Sequence, residues 1–150
     1  MNDIVMNAEQ HAVSEGKLIF KIPEKIEDNL FDSVGNAISI ISRQINASVI
    51  VALTGRGRTA RNLAKFRPKS VIAAFSDNQE TINSLSLQWG VIPLLCDEID
   101  KESQNNRTIE KAKKILLEKK LVREGDVVIF TAGEPYSQKS RSNWMKFEVI

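Results

Sequence analysis

A turn rich in glycine and arginine, directly after an apolar run, is the part of this sequence best suited to chemistry. The run Val49–Leu53 is continuously apolar and rich in β-branched residues, which is typical of a strand buried on both faces of a parallel sheet. Six turn residues come next, and a helical sequence follows them. The turn residues are Thr54, Gly55, Arg56, Gly57, Arg58 and Thr59. Amides that open a helix carry partial positive charge, glycines let the backbone approach a ligand, and arginines make charge-assisted hydrogen bonds. The turn therefore predicts a phosphate site, with a tight turn carrying solvated arginines as the alternative.

The better-known phosphate motifs fit this turn poorly. A P-loop needs four residues between its glycines and a following Lys-Ser/Thr pair, which the sequence does not supply. The dinucleotide pattern G-x-G-x-x-G is met only if Ala60 replaces the last glycine, a replacement that this pattern tolerates. Its acidic ribose partner would then fall near Asp77. Asp77 and Glu134 could also converge as an acid–base pair, although a helix cap and a turn residue are simpler roles for them.

Composition narrows the class of protein. A length of 150 residues suits one domain, and a net charge of +2 with interspersed signs argues against a nucleic-acid surface. Cys96 is the single cysteine and His11 the single histidine, so a disulfide framework, a Cys/His metal site and a Cys–His catalytic pair are poorly supported. We expect Cys96 to be a buried core thiol. No apolar segment approaches the ~20 residues of a membrane span, and a signal-peptide layout is absent, so we expect a cytoplasmic protein without membrane contact.

The rest of the sequence alternates helix and strand patterns. After a short helix and linker, apolar spacing predicts a helix at Asp28–Gln44. The elements predicted to follow are strand Ser48–Thr54, helix Thr59–Phe66, strand Ser70–Ser76, helix Asn78–Trp89, strand Val91–Cys96, loop Asp97–Asn106, helix Arg107–Glu118, strand Val127–Thr131, loop Ala132–Asn143 and strand Trp144–Ile150. This order predicts the α/β class: a three-layer, mostly parallel five-stranded sheet with helices on both faces and a C-terminal antiparallel edge strand. Ligands of such sheets bind beyond the carboxyl ends of the strands, where the turn after Leu53 emerges.

Four segments of the sequence carry a family resemblance. They are Leu53–Phe75, Trp89–Leu95, Leu121–Pro135 and Ser142–Ile150. In order, spacing and strand pattern they resemble the C-terminal α/β domain of the pyruvate kinase family. The resemblance covers about residues 28–150, which we predict to be that domain. The segment Met1–Gln10 resembles the helix that joins the catalytic barrel to this domain, and we predict an N-terminal helix and linker arm over residues 1–27.

The resemblance implies a division of labour between domains. In the family, the barrel transfers the phosphoryl group of phosphoenolpyruvate to ADP and holds the Mg and K sites. We therefore expect no catalytic residue, metal or cofactor in this chain. The C-terminal domain holds an allosteric sugar-phosphate site in many members and contributes to the tetramer interface. The implied partners are a sugar phosphate or nucleotide effector, the rest of a pyruvate kinase chain and further copies of it.

The resemblance also implies which residues hold the effector. Thr54–Thr59 matches the phosphate cradle, although Gly55 departs from the common pattern and Arg56 stands where a small hydroxyl residue is usual. The loop at Gly133–Asn143 matches the segment that folds over the effector. In this loop Lys139 and Arg141 are the candidates for contacting the effector. The loop sequence here differs from the glycine-rich sequence that is usual in the family.

By the same resemblance, the residues that bind a second phosphate would lie between Asp97 and Arg107. That segment contains no tryptophan, and Arg107 is its candidate. A hexose or pentose monophosphate, or a nucleotide, is therefore expected rather than fructose 1,6-bisphosphate.

Three functions remain open at this point. The first is a regulatory and oligomerisation domain of a pyruvate kinase, inactive by itself. The second is a free-standing phosphometabolite-binding protein of the same fold, and the third is a small nucleotide-dependent enzyme. The first two differ in whether the coding sequence continues upstream of Met1 into a barrel.

Overall fold

The computed structural model describes residues 26–96, 106–133 and 142–150. Its elements in chain order are α1 Ile26–Gln44, β1 Val49–Leu53, α2 Arg58–Lys65, β2 Val71–Ser76, α3 Gln79–Leu85, β3 Val91–Leu95, α4 Asn106–Glu118, β4 Val127–Ala132 and β5 Trp144–Val149. The predicted N-terminal helix and linker, most of the predicted loop at 97–106 and the segment 134–141 lie outside the described residues.

The strands form one five-stranded sheet in the order β3-β2-β1-β4-β5. β1 pairs in parallel with β2 on one side and with β4 on the other, β2 pairs in parallel with β3, and β5 is antiparallel to β4. β1 is buried along its whole length, as its apolar sequence predicted. This topology confirms the predicted α/β class and its antiparallel edge strand.

Helices cover both faces of the sheet because alternate strand residues point to opposite sides. On one face, Val49, Val51 and Leu53 pack with residues of α4, such as Ile109 and Leu116. On the other face, the intervening strand residues pack with the apolar side chains of α1, α2 and α3; this second core includes Ile38, Ile50, Ala52, Leu63 and Leu85. Cys96 is buried in the core beneath α4, which confirms the predicted core thiol.

α3 is shorter than its sequence predicted, ending at Leu85 rather than Trp89. The apolar pattern suggested another turn of helix, but Leu87 is 94% exposed, so that turn would gain no burial. The Trp89 ring instead packs against Arg67, just after α2, with the guanidinium carbon 4.2 Å from the ring centroid. α1 begins two residues earlier than predicted, at Ile26. None of the helices within the described ranges is long and apolar enough to span a membrane.

β3 forms one edge of the sheet and contains a proline. Cys96 N–H donates to Ser76 C=O and Ile72 N–H donates to Gly90 C=O, so the even-numbered β3 residues face β2. Pro93 therefore occupies an outward-facing position, where its missing N–H costs the sheet no hydrogen bond.

β5 forms the opposite edge and has no proline. Ile150 N–H donates to Asp126 C=O, and in the observed register this places Phe147 and Val149 at positions whose backbone groups face away from β4. The side chains of Phe147 and Val149 are 49% and 62% exposed. The outer edge of β5 thus combines outward backbone donors and acceptors with apolar surface.

Ion pairs attach β5 to α4. Lys113 Nζ lies 2.7 Å from Glu148 Oε2, and Lys146 Nζ lies 2.8 Å from Glu148 Oε1. The hydrogen bond from Lys113, assisted by Lys146, holds the pKa of Glu148 below its ordinary value. The same hydrogen bond raises the pKa of Lys113. Both shifts mean that the folded state favours the charged forms of this pair.

Candidate functional site

The glycine–arginine turn lies at the carboxyl edge of the sheet, at the centre of its strand order. Thr54 is buried, and its N–H extends the pairing with β2 by donating to Phe75 C=O at 3.0 Å. On the other side of β1, Leu53 pairs with Ala132, so Thr54 and Gly133 follow neighbouring strands at the same level. The chain leaves β1 toward α2 on one face and reaches β4 from α4 on the other, which is a topological switch point.

Gly57 connects the turn to α2 in a conformation that favours glycine. It is the N-cap of α2, with φ 77° and ψ 3°, and its C=O accepts the helix's first hydrogen bond from Arg61 N–H at 3.0 Å. A Cβ on Gly57 would lie 3.0 Å from Arg61 Nη1 and 3.1 Å from Leu85 Cδ2. Thr59 is the second residue of this helix rather than its cap, and it is buried.

Three exposed arginines surround the turn. Arg56 and Arg58 lie on either side of Gly57, next to the positive end of α2. Arg61 makes two hydrogen bonds that attach the turn to α3: Nη1 donates to Arg56 C=O at 2.8 Å and Nη2 donates to Ser84 Oγ at 2.7 Å.

Hydrogen bonds tie the turn to the segment between β2 and α3. Gly55 C=O accepts from Thr81 Oγ1 at 2.9 Å and from Ser76 Oγ at 3.3 Å. Ser76 Oγ in turn accepts from Asn78 N–H at 3.2 Å, and the Asn78 side chain caps α3 by accepting from Thr81 N–H at 3.1 Å. The cap role considered for Asp77 belongs to Asn78, and Asp77 is exposed.

The remaining predicted site residues are only partly assembled. Gly133 is buried beside the turn, at the end of β4. Arg107 is exposed in the first turn of α4, on the opposite face of the sheet from α2. Lys139 and Arg141 lie outside the described residues, as does Glu134. In the described ranges, no cluster of three or more His, Cys, Asp or Glu side chains could hold a metal ion.

Sequence reasoning missed the residues that hold the turn in place: Arg61, Ser76, Thr81 and Ser84. The strand pattern did bring the loop at Ser76 to the correct edge of the sheet, because carboxyl ends of parallel strands meet there. The strand pattern gave no signal that the Thr81 hydroxyl donates a hydrogen bond to Gly55 C=O. The pattern also did not show that Arg61, one helical turn after Gly57, donates hydrogen bonds to a backbone carbonyl and to a hydroxyl group.

Comparisons with known proteins agree with this architecture. The family model described as "Pyruvate kinase, alpha/beta domain" matches residues 32–147. The pyruvate kinase of Lactobacillus delbrueckii subsp. bulgaricus is 30% identical over 151 residues, which is 100% of this chain and 25% of that protein. Pyruvate kinase 2 of Synechocystis sp. is 35% identical over 119 residues, 79% of this chain and 20% of that protein.

A solved structure shows the same fold. Cryptosporidium parvum pyruvate kinase, in complex with ADP, superposes with a TM-score of 0.73 at 24% sequence identity, over 95% of this chain and 27% of that chain. The chain spans about a quarter of the length of the curated relatives it matches. The family model matches residues 32–147, and the sheet order and the switch-point turn agree with it. The chain therefore belongs to the pyruvate kinase family and corresponds to the C-terminal α/β domain of those enzymes.

Proposed function

We propose that this chain is the regulatory and oligomerisation domain of a cytoplasmic glycolytic pyruvate kinase, binding a phosphorylated effector at the turn between β1 and α2. In this proposal the phosphoryl transfer from phosphoenolpyruvate to ADP, with its Mg and K ions, belongs to the rest of the enzyme. The observation that carries it is the geometry at Gly57. A left-handed glycine opens α2 at a switch point, with Arg56 and Arg58 exposed on either side.

The charge available at the turn favours a single phosphate group. Two exposed arginines and a helix N-terminus suit a dianion, because both supply N–H donors in a partly positive environment. Arg107, the candidate for a second phosphate, lies on a helix of the opposite face of the sheet. A hexose phosphate, a pentose phosphate or a nucleotide is therefore the effector class that we propose.

Thermal unfolding with a ligand panel tests the effector site. The panel contains glucose 6-phosphate, ribose 5-phosphate, AMP, fructose 1,6-bisphosphate and the unphosphorylated sugars. A ligand at 100 times its dissociation constant should stabilise the protein by about 2.7 kcal/mol. In the double variant Arg56→Ala/Arg58→Ala we expect the shift to be lost.

The matched control is Arg43→Ala/Arg123→Ala, which removes two exposed arginines away from the turn. This control should respond to the ligand as the wild type does. No response to any phosphorylated ligand, or equal loss in both double variants, would show that the turn is not the effector site. A coupled assay of pyruvate formation with this chain alone should detect no turnover, and turnover would favour the enzyme alternative.

The outer edge of β5 supports the oligomerisation part of the proposal. Phe147 and Val149 present outward backbone groups together with exposed apolar side chains. An antiparallel strand from a second copy would satisfy those backbone groups and bury the side chains. Sedimentation velocity over a range of protein concentrations should detect self-association, and a strictly monomeric protein at all of them would contradict it.

A further inference from the structure

Three side chains in the described part of the chain donate hydrogen bonds to carbonyl oxygens of the turn. Thr81 Oγ1 and Ser76 Oγ donate to Gly55 C=O, at 2.9 and 3.3 Å. Arg61 Nη1 donates to Arg56 C=O at 2.8 Å. Two successive peptide groups of the turn are thus held by donors from β2, α2 and α3.

This arrangement fixes the direction of the amides as well. In a trans peptide the N–H points opposite to the C=O that precedes it. The carbonyls of Gly55 and Arg56 accept from Ser76, Thr81 and Arg61, so the N–H groups of Arg56 and Gly57 point away from those donors. Successive backbone N–H groups that point to one side form an anion-binding concavity.

The Arg61 side chain is itself held on a second side. Its Nη2 donates to Ser84 Oγ at 2.7 Å, and the Ser84 hydroxyl donates to Thr81 C=O at 3.0 Å. A planar guanidinium with donors in a fixed fork can span both acceptors, whereas a lysine ammonium is a single point of contact. The fork therefore joins the turn to α3 at a defined spacing.

We propose that Arg61 and Thr81 are positioning residues that hold the turn in its anion-binding conformation before any ligand arrives. The ligand class is a phosphate group or a similar tetrahedral oxyanion, and neither residue touches it. This inference rests on the proposed function for the identity of the ligand. How firmly the turn is held can be tested without a ligand.

Thr81 provides a test that leaves the net charge unchanged. Thr81→Val removes the hydroxyl at nearly constant volume, and Thr81→Ser restores it. In ligand-free protein, hydrogen exchange at the Arg61 amide, which donates to Gly57 C=O, should be about fivefold to tenfold faster in the valine variant, the size of one lost hydrogen bond. Affinity for inorganic phosphate, titrated by amide chemical shifts, should fall by a similar factor. The serine variant should return both readouts to within about twofold of the wild type.

Arg61 separates positioning from charge. Arg61→Lys keeps the positive charge but loses the fork, so phosphate affinity should fall nearly as far as in Arg61→Met. Arg43→Met removes an exposed charge from the last turn of α1 and should leave the affinity unchanged. Full affinity in Arg61→Lys would overturn the inference, because charge alone would then explain the role of Arg61. Should Thr81→Val fail to fold, the exposed Ser84→Ala variant removes one arm of the fork instead.

The two proposals fail in different ways. If the wild type does not bind phosphate, the effector site is wrong, and amide exchange in ligand-free protein still decides the positioning role. If phosphate binds but exchange and affinity are the same in wild type, Thr81→Val and Arg61→Lys, the effector site stands and the positioning role is wrong.

Discussion

The two edges of the sheet differ in the backbone groups that they offer to another strand. β3 ends the sheet with Pro93 at an outward-facing position, so its edge lacks a donor where another strand would need one. β5 ends the sheet with outward backbone groups intact at Phe147 and Val149, beside their exposed side chains. The same sheet thus has one edge that resists pairing and one that invites it. The contrast predicts that any pairing at an edge of this sheet uses β5 rather than β3.

Converting β5 into an edge like β3 should have the largest effect. Phe147→Pro removes an outward N–H and an exposed apolar side chain without breaking a hydrogen bond to β4. We expect self-association, measured by sedimentation velocity, to weaken at least about tenfold. Circular dichroism should show that the fold is kept. Unchanged association in a folded variant would mean that β5 is not the contact.

Loosening β5 from α4 should have a smaller effect, which depends on pH. Glu148→Gln removes the carboxylate that pairs with Lys113 and Lys146. We expect the free energy of unfolding in urea at pH 7 to fall by about 0.5–1 kcal/mol, since the pair is only partly shielded from water.

The pKa of Glu148 is lowered in the folded state, so its stabilisation is present above the unfolded value of about 4.3 and is lost as pH falls through the lowered pKa. The difference between wild type and variant should therefore shrink as pH falls below about 4.3. The raised pKa of Lys113 adds stabilisation that is present below its unfolded value and is lost as pH rises through the raised one. A difference that stayed constant throughout the acid range in which the protein remains folded would rule out the ion pair as its source.

Opening the edge of β3 should have the smallest effect. Pro93→Val restores an outward N–H on this strand. We expect self-association to rise only about twofold, because one added donor contributes little and β3 exposes one apolar side chain, Leu95, where β5 exposes two. The readout is sedimentation velocity at high protein concentration in the Phe147→Pro background, where the contact through β5 is removed. A large gain there would show that Pro93 alone keeps the β3 edge unpaired.

The parts of the fold that the sequence could predict are those where burial dictates residue type. β1 is buried on both faces, and its unbroken apolar run reveals this directly. β5 shows charged and apolar residues in alternation because one edge and part of one face are exposed. The end of α3 could not be predicted, since Leu87 continues the apolar pattern yet gains no contact.

In the candidate site, the position of the turn was predictable and the support behind it was not. Glycines at a strand-to-helix junction restrict the backbone locally, and Gly57 does adopt a left-handed conformation there. The partners of Arg61 and Thr81 depend on how α3 packs against the turn, which follows from tertiary structure. Residue type alone does not distinguish an arginine that binds a ligand from one that bonds to a carbonyl.

The strand order also decides when the turn acquires its surroundings during folding. β1 pairs with β2 across a short connection, but Leu53 meets Ala132 only after a separation of about 80 residues in the sequence. Closing so long a loop costs more entropy than forming the neighbouring β1–β2 pair, so we expect the β1–β4 pairing to form late. An anion that binds between the turn and Gly133 would therefore bind only to chains in which the sheet is complete. Binding would draw late intermediates toward the native state by mass action.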